Sequence, residues 1–165
     1  MKRIFSVLVE NRAGVLCKVA GLFSRRCFNI DSLAVGETEA NDVSVMTIVS
    51  SGDERTIEQI EKQLNKKLDI IKVKTFTESN SVCRELMLIK VKYQPNNRSD
   101  IIEICNVLNA SVLDMSGSSL LIQICDSPEK IELLIKMLSP YGIVELARTG
   151  TLALQKCSDN EKSKN

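Results

Sequence analysis

The chain is 165 residues long, 44% hydrophobic and 26% charged, with a formal net charge of +1. That length suits one domain or two small ones, and the composition is that of an ordinary globular protein, which excludes general disorder. Near-neutrality argues against the broad basic surface of a nucleic-acid binder, and no apolar run approaches the roughly 20 residues of a membrane-spanning helix.

The sequence contains no histidine, which removes Ser-His and Cys-His catalysis and histidine-ligated metals together. Its cysteines (Cys17, Cys27, Cys83, Cys105, Cys125 and Cys157) include no C-x-x-C pair, so they read as free thiols with several inside the core. Met1-Lys2-Arg3 leads directly into a strand pattern without the apolar region of a signal peptide, so the expected location is cytoplasmic.

In chain order, Arg3 to Val9 is a β-branched and apolar run, read as a buried strand. Glu10-Asn11-Arg12-Ala13-Gly14 joins it to a helix over Val15 to Arg26, in which Val15, Leu16, Val19, Ala20, Leu22 and Phe23 recur at helical spacing. Asn29 to Val35 and Val43 to Val49 read as two strands around a polar loop. Ser51 and Glu54 have capping-box spacing before a helix whose Ile57, Ile60 and Leu64 share a face. Asp69 to Phe76 closes the set with a fourth strand.

The order then repeats after a polar break at Thr77 to Ser81. Glu85 to Tyr93 reads as a strand, followed by a helix after a Ser99 cap. Val112 to Met115 and Leu120 to Cys125 form a hairpin. Ser127-Pro128 opens a helix with Ile131, Leu134, Ile135 and Leu138 at i, i+3, i+4 and i+7. Ile143 to Leu154 is the closing strand. The expected fold is α+β: two ferredoxin-like βαββαβ modules in tandem. The expected boundaries are 1–77 for the first module, 78–82 for a linker, 83–157 for the second and 158–165 for a disordered tail. Helices on one face of a four-stranded sheet leave the other face open, so self-association is expected.

Three functional classes use this topology. An RNA-recognition module needs aromatic and basic residues on the central strands; Ile4 to Val9 and Val43 to Val49 supply one Phe and no basic residue. A metal-carrying module needs paired thiols in the first loop, and Asn11 to Gly14 holds none. The third class binds a small amino acid at the first strand–helix junction, usually across a subunit interface. N–H groups of Gly14, Val15 and Leu16 at the positive helix end suit a carboxylate. Gly14 lets a ligand approach the backbone, and Asn11 and Asn29 offer neutral acceptors for an ammonium. Ala13, Val15 and Ile30 suit a small aliphatic side chain. From the residues alone, Asn11 reads equally as a helix N-cap and Asn29 as a strand-start turn. A carboxylate-based enzyme would need a convergent acid–base pair, and none is visible.

The chain resembles the small, regulatory subunits of acetolactate synthase (acetohydroxyacid synthase). The matching stretches include Phe5 to Asn11, Gly14 to Leu16, Val19 to Arg26, Phe28 to Leu33, Met46 to Ile48, Gly52 to Glu54, Ile57 to Leu64, Arg84 to Val91 and Glu145 to Gly150. The resemblance implies that the first module is an ACT domain and that the chain is not a catalyst. It implies a homodimer through ACT domains that binds valine, or a related branched-chain amino acid, at the dimer interface. Asn11, Ala13, Gly14, Val15 and Leu16 would come from one chain, and Asn29 and Ile30 from its neighbour. It further implies a large catalytic subunit as partner, activated by this chain and placed under feedback inhibition. Thiamine diphosphate, Mg and FAD are expected only on that subunit, with no cofactor or metal here. An ACT sensor acting on another partner is the alternative. Cys27 stands where the family usually has Gly, at a helix end that calls for a left-handed residue, a cost of about 1 kcal/mol. Val45 stands where the family commonly has Arg.

Overall fold

The computed structural model describes residues 1–77 and 79–157; the expected tail lies outside them. The chain divides into two compact units, Met1–Val82 with the segment from Thr151 on, and Cys83–Gly150.

The first unit holds β1 (Lys2–Glu10), α1 (Val15–Arg25), β2 (Ser32–Glu37), β3 (Val43–Ser51), α2 (Glu54–Leu64) and β4 (Ile70–Phe76). Its antiparallel sheet runs β2-β3-β1-β4. Alternation places Phe5, Val7 and Val9 of β1 and Met46 and Ile48 of β3 on one face. The stripes Val15, Val19, Leu22, Phe23 and Ile57, Ile60, Leu64 pack there and are buried with them. Each such side chain removed from water contributes about 1.5–3 kcal/mol.

The end of α1 follows the expectation for Cys27. Cys27 has φ +55, its N–H donates to the Ser24 carbonyl at 3.1 Å, and the Phe28 N–H reaches the Phe23 carbonyl at 3.0 Å. These are the two bonds of a Schellman motif. Phe23 and Phe28 complete it with an edge-on ring contact at 6.2 Å.

The second unit repeats the order with β5 (Ser81–Lys92), α3 (Arg98–Leu108), β6 (Ser111–Met115), β7 (Ser119–Asp126), α4 (Pro128–Leu138) and β8 (Ile143–Arg148); β9 (Leu152–Gln155) follows in the chain but lies in the first unit. Its sheet runs β6-β7-β5-β8, and β9 also pairs with β5. Met87, Ile89, Val91, Leu120, Ile122 and Ile124 face Ile101, Cys105, Ile131, Leu134 and Leu138. Glu85 is also buried, 3% exposed, because Arg148 meets it with two bonds, Nε to Oε1 at 2.7 Å and Nη2 to Oε2 at 3.0 Å.

Several expectations need correction. The strand expected at Asn29 starts at Ser32, since residues through Phe28 complete the helix end and the first ladder bond is Asp31 N–H to Val49 carbonyl, 2.8 Å. Asp53, not Ser51, caps α2: its carboxylate accepts from Thr56 N–H at 2.8 Å, while Ser51 is the last residue of β3. α3 begins at Arg98, ahead of Ser99, with Asn97 at its cap. Ser81, expected in the linker, opens β5, because a tight turn with Asn80 N–H on the Thr77 carbonyl at 3.2 Å ends just before it. The closing strand is two strands, interrupted where Gly150 takes φ +84.

The second of those strands bears on the open sheet face. β9 lies against β1 and belongs to the first unit. Thr151 N–H donates to Ser32 Oγ at 2.9 Å, and Thr151 and Ala153 are 4% and 6% exposed. The expected uncovered face is therefore partly covered by the chain's own carboxyl-terminal segment. All cysteines are free, and only Cys105 is buried, so the expectation of several in the core is not met. Burial pushes the Cys105 thiol above its ordinary pKa.

Candidate functional site

The turn from β1 to α1 is built by Gly14. With φ +87 it is the N-cap of α1, a left-handed position that disfavours a side chain. No side chain caps the helix. Val15 N–H is turned back onto the Arg12 carbonyl at 3.3 Å, so it is not available to a ligand as expected. The N–H groups of Gly14, Leu16 and Cys17 have no acceptor among the described residues and remain at the positive end of the helix. A Cβ built on Gly14 meets nothing within 4 Å, so the space above the turn is open.

Asn11 is not the helix cap. Its backbone N–H donates to the Asp42 carbonyl at 2.7 Å, and its Nδ2 donates to the Asn41 carbonyl at 2.9 Å and to Glu37 Oε1 at 3.2 Å. The loop between β2 and β3 is thereby held against the turn, and Asn11 Oδ1 stays free to accept among the described residues. On the other side, Glu10 N–H donates to the Asp69 carbonyl at 3.0 Å, and Lys18 Nζ bridges to Asp69 Oδ2 at 2.8 Å. The Lys18 ammonium holds the Asp69 carboxyl below its ordinary pKa. Arg12 is paired with Glu10 at 2.8 Å. Both cations are thus neutralised locally, which leaves the N–H groups as the donors for an anion and Glu37 and Asn11 Oδ1 as acceptors for a cation.

Of the expected apolar wall, Ala13 and Leu16 are exposed at the turn, but the Val15 side chain belongs to the core. Asn29 and Ile30 lie elsewhere. The Asn29 carbonyl accepts from Ser50 Oγ at 2.6 Å, and its Nδ2 donates to Asp31 Oδ1 at 2.6 Å. Ser50 pairs with Arg3, seven residues before Glu10 along β1, so the two halves are roughly 23 Å apart. One chain does not bring them together. The residues that frame the turn, Glu37, Asn41, Asp42, Lys18 and Asp69, are not legible as site residues from sequence; the polar loop after Gly36 is the one signal that could have pointed to three of them.

Two antiparallel sheets, each carrying two helices in βαββαβ order, with an amino-terminal helix end that no side chain caps facing an open corner, define a tandem ferredoxin-like protein of the ACT class. The sequence pattern described as the acetohydroxyacid synthase small-subunit-like ACT domain matches residues 5–72, and that of the small subunit of acetolactate synthase matches residues 84–157. A probable acetolactate synthase small subunit of Archaeoglobus fulgidus is 50% identical over 93% of this chain and 96% of its own length. The acetolactate synthase small subunit of Bacillus subtilis is 45% identical over 100% of this chain and 96% of its own. The crystal structure of the small subunit from Thermotoga maritima, 37% identical, superposes with a TM-score of 0.88 over 96% of this chain and 99% of that one. The chain belongs to the acetolactate synthase small-subunit family, whose members are regulatory subunits of the enzyme complex rather than its catalyst.

Proposed function

We propose that this chain dimerises through its ACT domain, binds valine or a related branched-chain amino acid across that interface, and regulates a large acetolactate synthase subunit by activation and feedback inhibition. The observation that carries the reading is the position of the two half-sites relative to β2. β1 and β2 both pair antiparallel with β3, so they run parallel to each other, and β2 is one of the sheet's two edges. Asn11 sits at the Glu37 end of β2, while Asn29 and Ile30 precede its Ser32 end. If two copies pair their β2 edges antiparallel about a two-fold axis, opposite ends meet. Asn29 and Ile30 of the partner subunit then arrive beside the Asn11–Leu16 turn of the first, twice per dimer.

In this arrangement the amino-acid carboxylate takes the N–H groups of Gly14 and Leu16, and its ammonium takes Asn11 Oδ1 and the Glu37 carboxylate. Ala13, Leu16 and the partner's Ile30 surround the aliphatic side chain. Thiamine diphosphate, Mg and FAD belong, in this reading, to the catalytic subunit, and the complex is cytoplasmic.

Calorimetry of the isolated chain with valine, leucine and isoleucine, alongside sedimentation, tests the reading. A dimer that binds at least one of them is expected. Gly14→Asp should abolish that binding and the inhibition of the reconstituted complex while activation persists. Gly14→Asn imposes the same left-handed strain on a residue that tolerates it, and it should weaken binding less. A monomer, or valine inhibition unchanged by Gly14→Asp, would refute the assignment.

A further inference from the structure

The second unit contains the same corner as the first, with different chemistry. In the first, the residue ending β1 donates to the α2–β4 loop (Glu10 N–H to Asp69 carbonyl), and the turn residue after it donates to the β2–β3 loop (Asn11 N–H to Asp42 carbonyl). In the second, Lys92 N–H donates to the Gly142 carbonyl at 3.0 Å and Tyr93 N–H to the Ser118 carbonyl at 3.0 Å, which brings together the corresponding loops after β5, between β6 and β7, and before β8. Tyr93 fixes the arrangement further by donating its hydroxyl to the Ser116 carbonyl at 2.7 Å.

Between these loops lies a cleft of about 560 Å³, within the range of small-molecule sites. Lys90, Lys92, Tyr93, Asn97, Ser118 and Tyr141 line it. None of the described residues lining it is acidic. Lys90 is paired with Glu145 at 3.2 Å, but Lys92 has no carboxylate in ion-pair range among the described residues. Asn97 spends its Oδ1 on the Gln94 N–H at 2.7 Å, which leaves its Nδ2 as a donor. The Tyr141 hydroxyl has no partner among the described residues.

An uncommitted ammonium and an amide donor, beside a tyrosine hydroxyl and serines, offer charge-assisted and neutral hydrogen bonds to an oxyanion. With no acidic group among its lining residues, the cleft has no counter-ion for an ammonium, so a zwitterionic amino acid is disfavoured. We propose that this corner of the second unit is a separate binding site for a small anion bearing a carboxylate or phosphate, held by Lys92, Asn97 and Tyr141. The site is distinct from the amino-acid site proposed above, since its lining residues all lie within Cys83–Gly150.

The test is titration of the full-length chain with inorganic phosphate and, separately, succinate, at fixed ionic strength, read by calorimetry and backbone amide NMR. Saturable binding of at least one is expected, with shifts at Lys92, Asn97 and Tyr141. The ligand that binds distinguishes phosphate from carboxylate chemistry. Lys92→Gln, which keeps the backbone bond to Gly142, should weaken binding about tenfold or more, and Tyr141→Phe should weaken it less; neither should alter valine binding. No saturable binding of either anion, or equal affinity in Lys92→Gln, would overturn the proposal.

Discussion

Replacing Cys27 with glycine isolates one strained residue at the carboxyl end of α1. Cys27 holds φ +55 because the Schellman bonds at Ser24 and Phe23 require it. A left-handed conformation costs a non-glycine residue about 1–2 kcal/mol, and the thiol is exposed, so its removal forfeits little burial. Glycine's greater freedom in the unfolded chain takes back about 0.4–1 kcal/mol. A net gain of roughly 0.5–1 kcal/mol follows, which should raise the urea midpoint by about 0.3–0.6 M at an ordinary slope. Cys27→Ala keeps the Cβ and therefore the strain, and it should move stability by less than about 0.5 kcal/mol. If alanine gains as much as glycine, the cost lies in the thiol rather than the backbone. If glycine destabilises, the left-handed argument fails outright.

Arg148→Met strands the buried Glu85 carboxylate and should cost about 3 kcal/mol or more in urea unfolding; adding Glu85→Leu should recover most of that loss, and an additive double variant would refute the pairing. Ala153→Asp places an unpaired charge at a position 6% exposed in β9, whereas Leu154, 75% exposed, points away. The first should therefore destabilise by about 2 kcal/mol or more and Leu154→Asp by almost nothing, a contrast that vanishes if β9 is only a passive tail. The carboxyls of Asp53, Asp69 and Asp126 all lie below their ordinary value, held by Thr56, Lys18 and Lys130 respectively. Because their folded pKa is depressed, the stability they contribute is present above the unfolded value of 3.8 and is lost as pH falls through the folded one. The urea midpoint should fall on acidification below about pH 4, and carboxyl NMR should show Asp69 moving back up in Lys18→Met.

The helices were legible because their burial is periodic and local: Ile57, Ile60 and Leu64, or Ile131, Leu134 and Leu138, need only one face of the chain to be apolar. Helix starts were less legible. Ser51, Asp53, Asn97 and Ser99 are all competent caps by type, and a shift of one or two residues in where the strand or turn ends decides between them. In the run from Ile143 to Leu154, Arg148-Thr149-Gly150-Thr151 interrupts the apolar residues and marks the break at Gly150, but nothing local marks β9 returning to β1. Such pairings are set by partners far along the chain. The candidate site divides the same way. Gly14 announces its turn locally, while Glu37 and Asp69 reach it through loops 26 and 51 residues away from Asn11 and Lys18.

If the proposed amino-acid site is divided between opposite ends of β2, tightening one chain cannot complete it. The strand is stiff and the halves are roughly 23 Å apart, so in the proposed dimer the ligand's affinity would be tied to how two copies meet. Any ligand that needs both halves then stabilises the paired state by RT ln(1 + [L]/Kd), about 2.7 kcal/mol at a hundredfold excess over Kd. A ligand bound in the micromolar to millimolar range has roughly 4–8 kcal/mol in total, and only its difference in affinity between dimer arrangements can act on a partner. Strain at the partner's helix end, beside Asn29, draws on that same sum. Relief of the strain by Cys27→Gly therefore changes effector affinity only to the extent that Asn29 and Ile30 sit differently in the free and bound states. An unchanged affinity in a variant stabilised by the expected amount would mean that this half of the site is already in its binding conformation.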